Sequence, residues 1–249
     1  MANQKVFVAT DEAKGQAKQL RLFALLAWII AIGTEIFAVL KLIHNETLTW
    51  LIVAIVAILV LSLVGTFLWK KANRLDPASE KDKFRFFVQN QLGAIMAVLA
   101  FLPLVVLIFT NKDLDKKSKG IAGVVAVIAL IAASIFGIDF NPPSVEKYTE
   151  QINAQTDIIK NINNGVDHVY WTPAGNKMHL YEDCQYLKNK EIGQGTVKEA
   201  WEARKIGDNE VCKVCLKRAE KDHGVTLDQT EQNEIAQEST QEAPADVAE

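Results

Sequence analysis

Hydrophobic residues are concentrated in four long stretches of the first 140 positions, and charged residues are nearly absent from them. Glu35 is the only charge in the first stretch, and the other three contain none. Each stretch has 19 to 23 residues, close to the ~20 that an α-helix needs to cross the hydrocarbon core of a bilayer. The pattern predicts an α-helical membrane protein with a transmembrane domain over 22–140. Its four helices are expected at about 22–42, 48–69, 88–110 and 120–139.

The distribution of lysine and arginine predicts the orientation of these helices. Ten basic residues lie in the N-terminal segment, 1–21, and the connection between the second and third helices, against five in the other two connections. Short basic segments stay in the cytoplasm, so both ends of the chain are expected to be cytoplasmic in a multi-pass protein of the cell membrane. Four lysines in the third connection oppose this orientation.

After the fourth helix the composition changes abruptly at Asn141, Pro142 and Pro143. Apolar residues then recur three and four positions apart, which predicts an amphipathic helix in a stalk or linker over 141–165. Such a stalk could join two copies of the chain into a homo-oligomer. The alternative is a helix that lies against its own bundle or on the bilayer surface. The apolar positions are Val145, Tyr148, Ile152, Ile159 and Ile162.

A compact α+β unit is predicted over 166–223. The segments "DHVYWT" and "KMHLYE" flank a Pro-Ala-Gly sequence and are typical of a β-hairpin. Thr196 and Glu199 form a capping-box pattern for a helix through Lys205, and a second helix is expected to run to about Asp222. Beyond it, the acidic tail 224–249 has no basic residue and is expected to be disordered.

All three cysteines lie in this small unit, together with one well-placed histidine. Four residues lie between His179 and Cys184 in the pattern H-x4-C, and 27 residues lie between Cys184 and the C-x2-C of Cys212 and Cys215. Three thiolates and one imidazole complete a tetrahedral zinc site, and reduced cytosolic thiols bind metal more often than they form disulfides. We therefore predict one structural Zn²⁺ per chain. His168 or His223 could replace His179, and three unliganded thiols remain the alternative.

The segments "VYWTPAGNKMHLYEDCQYLKN" and "TVKEAWEARKIGDNEVCKVC" resemble the metal-binding domain of Ada-type DNA alkylation-repair proteins and the small zinc modules akin to it. The resemblance implies that Cys184, Cys212 and Cys215 match the later three metal ligands of that family. His179 occupies the first position, where the family has its methyl-accepting cysteine. The resemblance therefore implies the fold and the metal without the repair reaction. Ten basic and ten acidic residues in 166–223 also make nucleic acid an unexpected partner.

These patterns predict a membrane protein that presents a zinc domain to the cytosol for interaction or scaffolding, with the bilayer and a protein as partners. A redox- or metal-responsive sensor that uses the zinc thiolates is the first alternative. A small transporter with a regulatory zinc domain is a weaker one, since it depends on the intramembrane Glu35 alone. The sequence has no nucleotide-binding loop or catalytic-triad signature that would indicate an enzyme.

Overall fold

The computed structural model describes residues 6–204 and 210–223. They divide into two compact units. The bundle unit comprises residues 11–144, and the C-terminal unit comprises residues 6–10 together with the described residues from 145 onward. The first and last described residues therefore lie in the same unit, and the bundle lies between them in the sequence.

Four long helices make up the bundle unit: α1 is Asp11–Lys41, α2 is Leu48–Leu75, α3 is Lys83–Thr110 and α4 is Lys116–Gly137. A short 3-10 helix, Asn45–Thr47, precedes α2. All four long helices have the length and apolarity of membrane spans, which confirms that part of the prediction. Helix α1 begins eleven residues before the predicted span, because the loss of charged residues marks the bilayer and not the end of a helix.

Polar side chains define the starts of the last two long helices. The Asp82 carboxylate accepts a hydrogen bond of 3.1 Å from the backbone N–H of Arg85, and that of Asp115 accepts one of 2.7 Å from Ser118. Both are N-caps, which satisfy a backbone donor that has no partner within the helix. The α3 helix continues through Pro103.

Alanines and a set of larger apolar residues fill the interior of the bundle, and many other large apolar side chains point outward. Phe101, Leu104 and Ile108 of α3 are fully buried, beside the buried alanines of α4. Leu22, Ile29, Phe67, Val106 and Ile128 are each about half exposed. Large exposed apolar areas are unfavourable in water and require a bilayer or a partner to cover them, so these outer faces fit a membrane environment.

Short strands and three helices make up the C-terminal unit. Its helices are α5, Val145–Ile162, α6, Val197–Arg204, and α7, Lys213–His223. Its strands are β1, Val169–Trp171, β2, Lys177–Met178, β3, Gly193–Gly195, and β4, Glu210–Val211. The β1 strand pairs with β3 in antiparallel orientation, and β2 pairs with β4 in parallel. The predicted end of α6 at Lys205 and the tail 224–249 lie outside the described residues.

The predicted β-hairpin is reduced to one residue pair. Tyr170 and His179 exchange two backbone hydrogen bonds of 2.8 Å each. On either side of this pair, β1 and β2 take β3 and β4 as their partners. The sequence thus predicted the extended segments of β1 and β2 and missed their main partners, β3 and β4.

The predicted stalk is a helix of the C-terminal unit. Four of the apolar positions in α5 are buried, namely Tyr148, Ile152, Ile159 and Ile162. The helix packs against α6 and α7. The unit thus begins at Val145 and not at 166, because α5 covers its apolar side with elements that follow it in the chain.

Residues 6–10, which we call the N-terminal strap, also belong to the C-terminal unit. The Phe7 ring lies edge-on against Tyr148, with centroids 5.1 Å apart. The predicted N-terminal segment 1–21 is therefore divided, since Asp11 already starts α1.

The predicted capping box of α6 is formed: the Thr196 N–H donates to the Glu199 carboxylate at 2.7 Å, and the Glu199 N–H donates to the Thr196 hydroxyl at 3.3 Å.

Candidate metal centre

The four side chains that the sequence analysis selected as ligands come together in the C-terminal unit. The ligand atoms of His179, Cys184, Cys212 and Cys215 all lie within 4.8 Å of one another, and all four residues are buried. His179 Nδ1 is 3.2 Å from Cys184 Sγ and 3.8 Å from Cys215 Sγ. The cysteines are free thiols. This cluster could hold a metal ion.

The distances can be compared with those of a tetrahedral site. Zinc binds sulfur at about 2.3 Å and imidazole nitrogen at about 2.0–2.1 Å, which places tetrahedral ligand atoms about 3.5–3.8 Å apart. Of the two nitrogen-to-sulfur distances, 3.2 Å lies below this range and 3.8 Å is at its upper end. The residues therefore fit a small cation that prefers sulfur and nitrogen ligands, with shifts of up to about 1 Å, since all four ligand atoms lie within 4.8 Å of one another.

The parallel pair of β2 and β4 brings the two halves of the cluster together. His179 directly follows β2, and Cys212 directly follows β4. The Cys212 N–H donates a 2.8 Å hydrogen bond to the Met178 carbonyl, which fixes the two ligands side by side. The pairing thus joins ligands that are distant in the chain.

Helix α7 positions the C-x2-C pair. The Cys212 carbonyl accepts the Leu216 N–H at 3.0 Å, so Cys212 is at the start of the helix and Cys215 is in its first turn. The positive end of the helix dipole at this terminus favours thiolate charge. The fourth ligand, Cys184, is held in a tight turn, where its N–H donates to the Tyr181 carbonyl at 3.2 Å and its carbonyl accepts the Leu187 N–H at 2.9 Å.

Burial dominates the electrostatics of Cys215. It raises the pKa of this thiol to about 12, although the backbone amides of Leu180 and Tyr181 donate hydrogen bonds to the sulfur and favour the thiolate. Without a cation the Cys215 thiol therefore carries its proton at neutral pH. A metal ion that bound here would have to displace that proton, so metal binding at the cluster would release protons.

A second layer of side chains ties the Cys184 turn to α7. The Arg218 guanidinium donates to the Asp183 carboxylate at 2.7 Å and lies 4.0 Å from the centre of the Tyr181 ring. The Tyr181 hydroxyl donates to Asp222 at 3.2 Å. The sequence analysis did not select these residues. The signal that could have found them is adjacency, since Asp183 precedes Cys184 and Arg218 lies one helical turn after Cys215.

A small pocket of about 100 Å³ adjoins the cluster. Cys184, Val214, Cys215 and Arg218 are among the residues that line it. Both cysteines are buried, but they border a space large enough for a few water molecules. A small solute could therefore approach these two residues from the pocket.

The other candidate residues lie elsewhere. The His168 ring stacks edge-on against Tyr170, with centroids 5.0 Å apart, and is outside the cluster. The side chain of His223 is not among those described. Glu35 is 5% exposed within the bundle, and its Oε1 atom has no hydrogen-bond partner among the described residues.

Comparisons of the chain with protein-family models, with curated proteins and with solved structures find no match. The fold and the cluster thus define the class of protein: four helices that could cross a membrane, joined to a small unit that could bind a metal ion. The resemblance to Ada-type metal-binding domains stays a prediction.

Proposed function

We propose that this protein is a multi-pass membrane protein that presents a structural zinc centre to the cytosol as a binding module for a protein partner. The observation that carries the proposal is the closed set of four buried ligand atoms within 4.8 Å of one another. Catalytic zinc sites keep one position open for water, whereas structural sites take all four ligands from the protein. A scaffold role suits a site of the second kind.

The chemistry of the donors favours zinc over other common cations. Three sulfurs and one imidazole nitrogen suit a borderline-soft ion in tetrahedral geometry, and they do not suit magnesium or calcium. The strands of the unit are only two or three residues long, so they contribute few ladder hydrogen bonds. Structural zinc supplies on the order of 10 kcal/mol in small domains, enough to determine whether such a unit folds.

The N-terminal strap supports the proposed topology. Because residues 6–10 pack in the same unit as the residues after Val145, the start of α1 and the end of α4 belong on one side of the bilayer. An even number of crossings satisfies this requirement, and four spans do so. The excess of lysine and arginine in the N-terminal segment and the second connection supports the cytosol as that side.

Metal analysis of paired histidine variants tests the zinc centre. The full-length chain, purified in detergent without added metal, is expected to contain one zinc ion, and His179→Asn is expected to lose it. His168→Asn is the matched control, since this histidine lies outside the cluster. Equal zinc content in both variants would overturn the assignment of His179. Recovery of the same cytosolic partners by a metal-free Cys212→Ser variant would overturn the scaffold role.

A sensor of oxidants is the second candidate, and the pocket beside Cys184 and Cys215 favours it. Two thiolates that lose two electrons form a disulfide, while hydrogen peroxide takes up the electrons and two protons to give two waters. Zinc loses two ligands in this step. The expected result is zinc release at peroxide concentrations that oxidise a free thiol, and a site that stays loaded under those conditions would exclude this function.

A further inference from the structure

The N-terminal strap lies in a groove of the C-terminal unit. Phe7 and Ala9 are 7% and 8% exposed, whereas Val6 and Val8 are 51% and 54% exposed. Burial at every second position is the pattern of an extended chain with one face turned inward. The strap therefore binds to the unit as an extended peptide would, with alternate side chains in the groove.

Helices α5 and α6 form the walls of this groove. The Phe7 N–H donates a 3.0 Å hydrogen bond to the Thr149 hydroxyl on α5, and the Val8 N–H donates one of 3.3 Å to the Glu202 carboxylate on α6. The groove thus supplies an acceptor for each of two successive backbone amides. Hydrogen bonds to the main chain, combined with pockets for alternate side chains, are the usual means of recognising an extended segment.

An aromatic seat receives the Phe7 side chain. Its ring meets Tyr148 at 89° with centroids 5.1 Å apart, and Tyr148 in turn lies 5.4 Å from Trp201. The Trp201 indole N–H donates to the Gln155 side chain at 2.7 Å, and this hydrogen bond holds the Trp201 ring in place beside Tyr148. Edge-to-face ring contacts of this kind are specific in geometry, so the groove selects a segment with an aromatic residue at this position.

Both walls of the groove depend on elements that carry metal ligands. Helix α5 packs against α7, which contains Cys215. Helix α6 packs against β1 and β3, and Tyr170 of β1 is joined to His179 by two backbone hydrogen bonds. Loss of the metal would loosen α7 and the segment around His179, and both walls would lose their support.

We propose that this groove is a recognition site for an extended segment with an aromatic residue at its second position, that its occupant is the chain's own residues 6–10, and that metal at the cluster of His179 and the three cysteines keeps it formed. The inference rests on the proposed zinc centre. Because α1 starts at Asp11, directly after the strap, metal occupancy then decides whether the first membrane helix is anchored at its start.

Hydrogen exchange of the full-length protein in detergent micelles tests the inference, because the Phe7 and Val8 amides are the groups that donate into the groove. In the zinc-loaded protein these amides are expected to exchange slowly. After zinc is removed with a chelator, they are expected to exchange as fast as an unstructured peptide. Continued protection with the metal gone and the three thiols reactive would overturn the coupling. Fast exchange in the loaded protein would overturn the groove.

Two strap variants separate the groove from the metal centre. Phe7→Ala removes the side chain in the seat and is expected to abolish protection of the strap while the zinc content stays at the wild-type level. Val6→Ala, at the outward-facing neighbour, is the matched control and is expected to change neither quantity. Zinc content reports on the proposed zinc centre, and amide exchange reports on binding of the strap. A failure of the proposed function is therefore distinguishable from a failure of this inference. Protection that disappears on dilution would assign the occupant to a second copy and overturn the intramolecular form.

Discussion

Replacement of Ile152 by alanine tests whether α5 is a core element of the C-terminal unit. Ile152 is fully buried, and the substitution removes three carbon atoms. At about 0.8 kcal/mol per methylene the loss of transfer free energy is about 2.4 kcal/mol, and the remaining cavity brings the cost to about 3–4 kcal/mol. A loss of this size is a large fraction of the stability of a small domain.

Urea titration of the full-length protein in micelles measures this cost, with zinc release to a coloured chelator as the signal. With a urea dependence of about 1 kcal/mol per M, the midpoint of release is expected to fall by about 3 M. Ile158→Ala is the matched control, because Ile158 is on the same helix but only half-buried, and its midpoint should fall by less than about 1 M. Equal midpoints for the two variants, with a change of oligomeric state for Ile152→Ala alone, would refute our reasoning and return α5 to the role of a self-associating stalk.

Three further predictions concern the bundle, the second layer and pH. Gly137→Ala is expected to lower the stability of the bundle by about 1–3 kcal/mol, because a Cβ there would lie 2.5 Å from the backbone nitrogen of Ala94 in α3. Gly120→Ala is the control, since nothing lies within 4 Å of a Cβ at that position. Equal melting temperatures for the two variants would contradict the close contact between α3 and α4. Arg218→Gln breaks a largely exposed ion pair and a ring contact and should speed zinc transfer to a chelator modestly, because exposed charge pairs are screened by solvent, whereas Lys217→Gln should leave the rate unchanged. As pH is lowered, metal affinity is expected to fall by about tenfold per pH unit for each proton displaced, because burial raises the pKa of the metal-free Cys215 thiol to about 12. Competition with a chelator of known proton dependence measures this affinity. An affinity that stays the same between pH 8 and pH 6 would contradict the prediction.

The four long apolar helices were predictable because each is encoded locally, and so is the spacing within each half of the cluster. The absence of charge over about 20 residues has one common physical cause, the hydrocarbon core of the bilayer. The four residues that could hold a metal ion were selected because sulfur and imidazole groups are rare and their spacing is informative. The geometry that brings Cys212 beside His179, the parallel pair of β2 and β4, leaves no pattern in either two-residue strand.

The partners of amphipathic elements were less accessible from the sequence. Periodicity showed that α5 has an apolar side, but the residues that cover it come from α6, α7 and the strap, and Phe7 lies 141 positions away from Tyr148. Contacts at such separation are specified by the shape of two surfaces and not by any local spacing. The same reason explains why the pairing of Arg218 with Asp183, 35 positions apart, was not predicted.

The spacing of the ligands has a consequence for how the C-terminal unit can vary. A metal ion that joins Cys184 to Cys212 closes a loop of 27 intervening residues, and the entropic cost of loop closure rises by only about 0.6 kcal/mol for each doubling of loop length. Insertions or deletions between β3 and β4 would therefore change the free energy of closing this loop only slightly. The loop carries α6, one wall of the groove, so the metal centre can hold the scaffold constant while the recognition surface changes in length and composition around it.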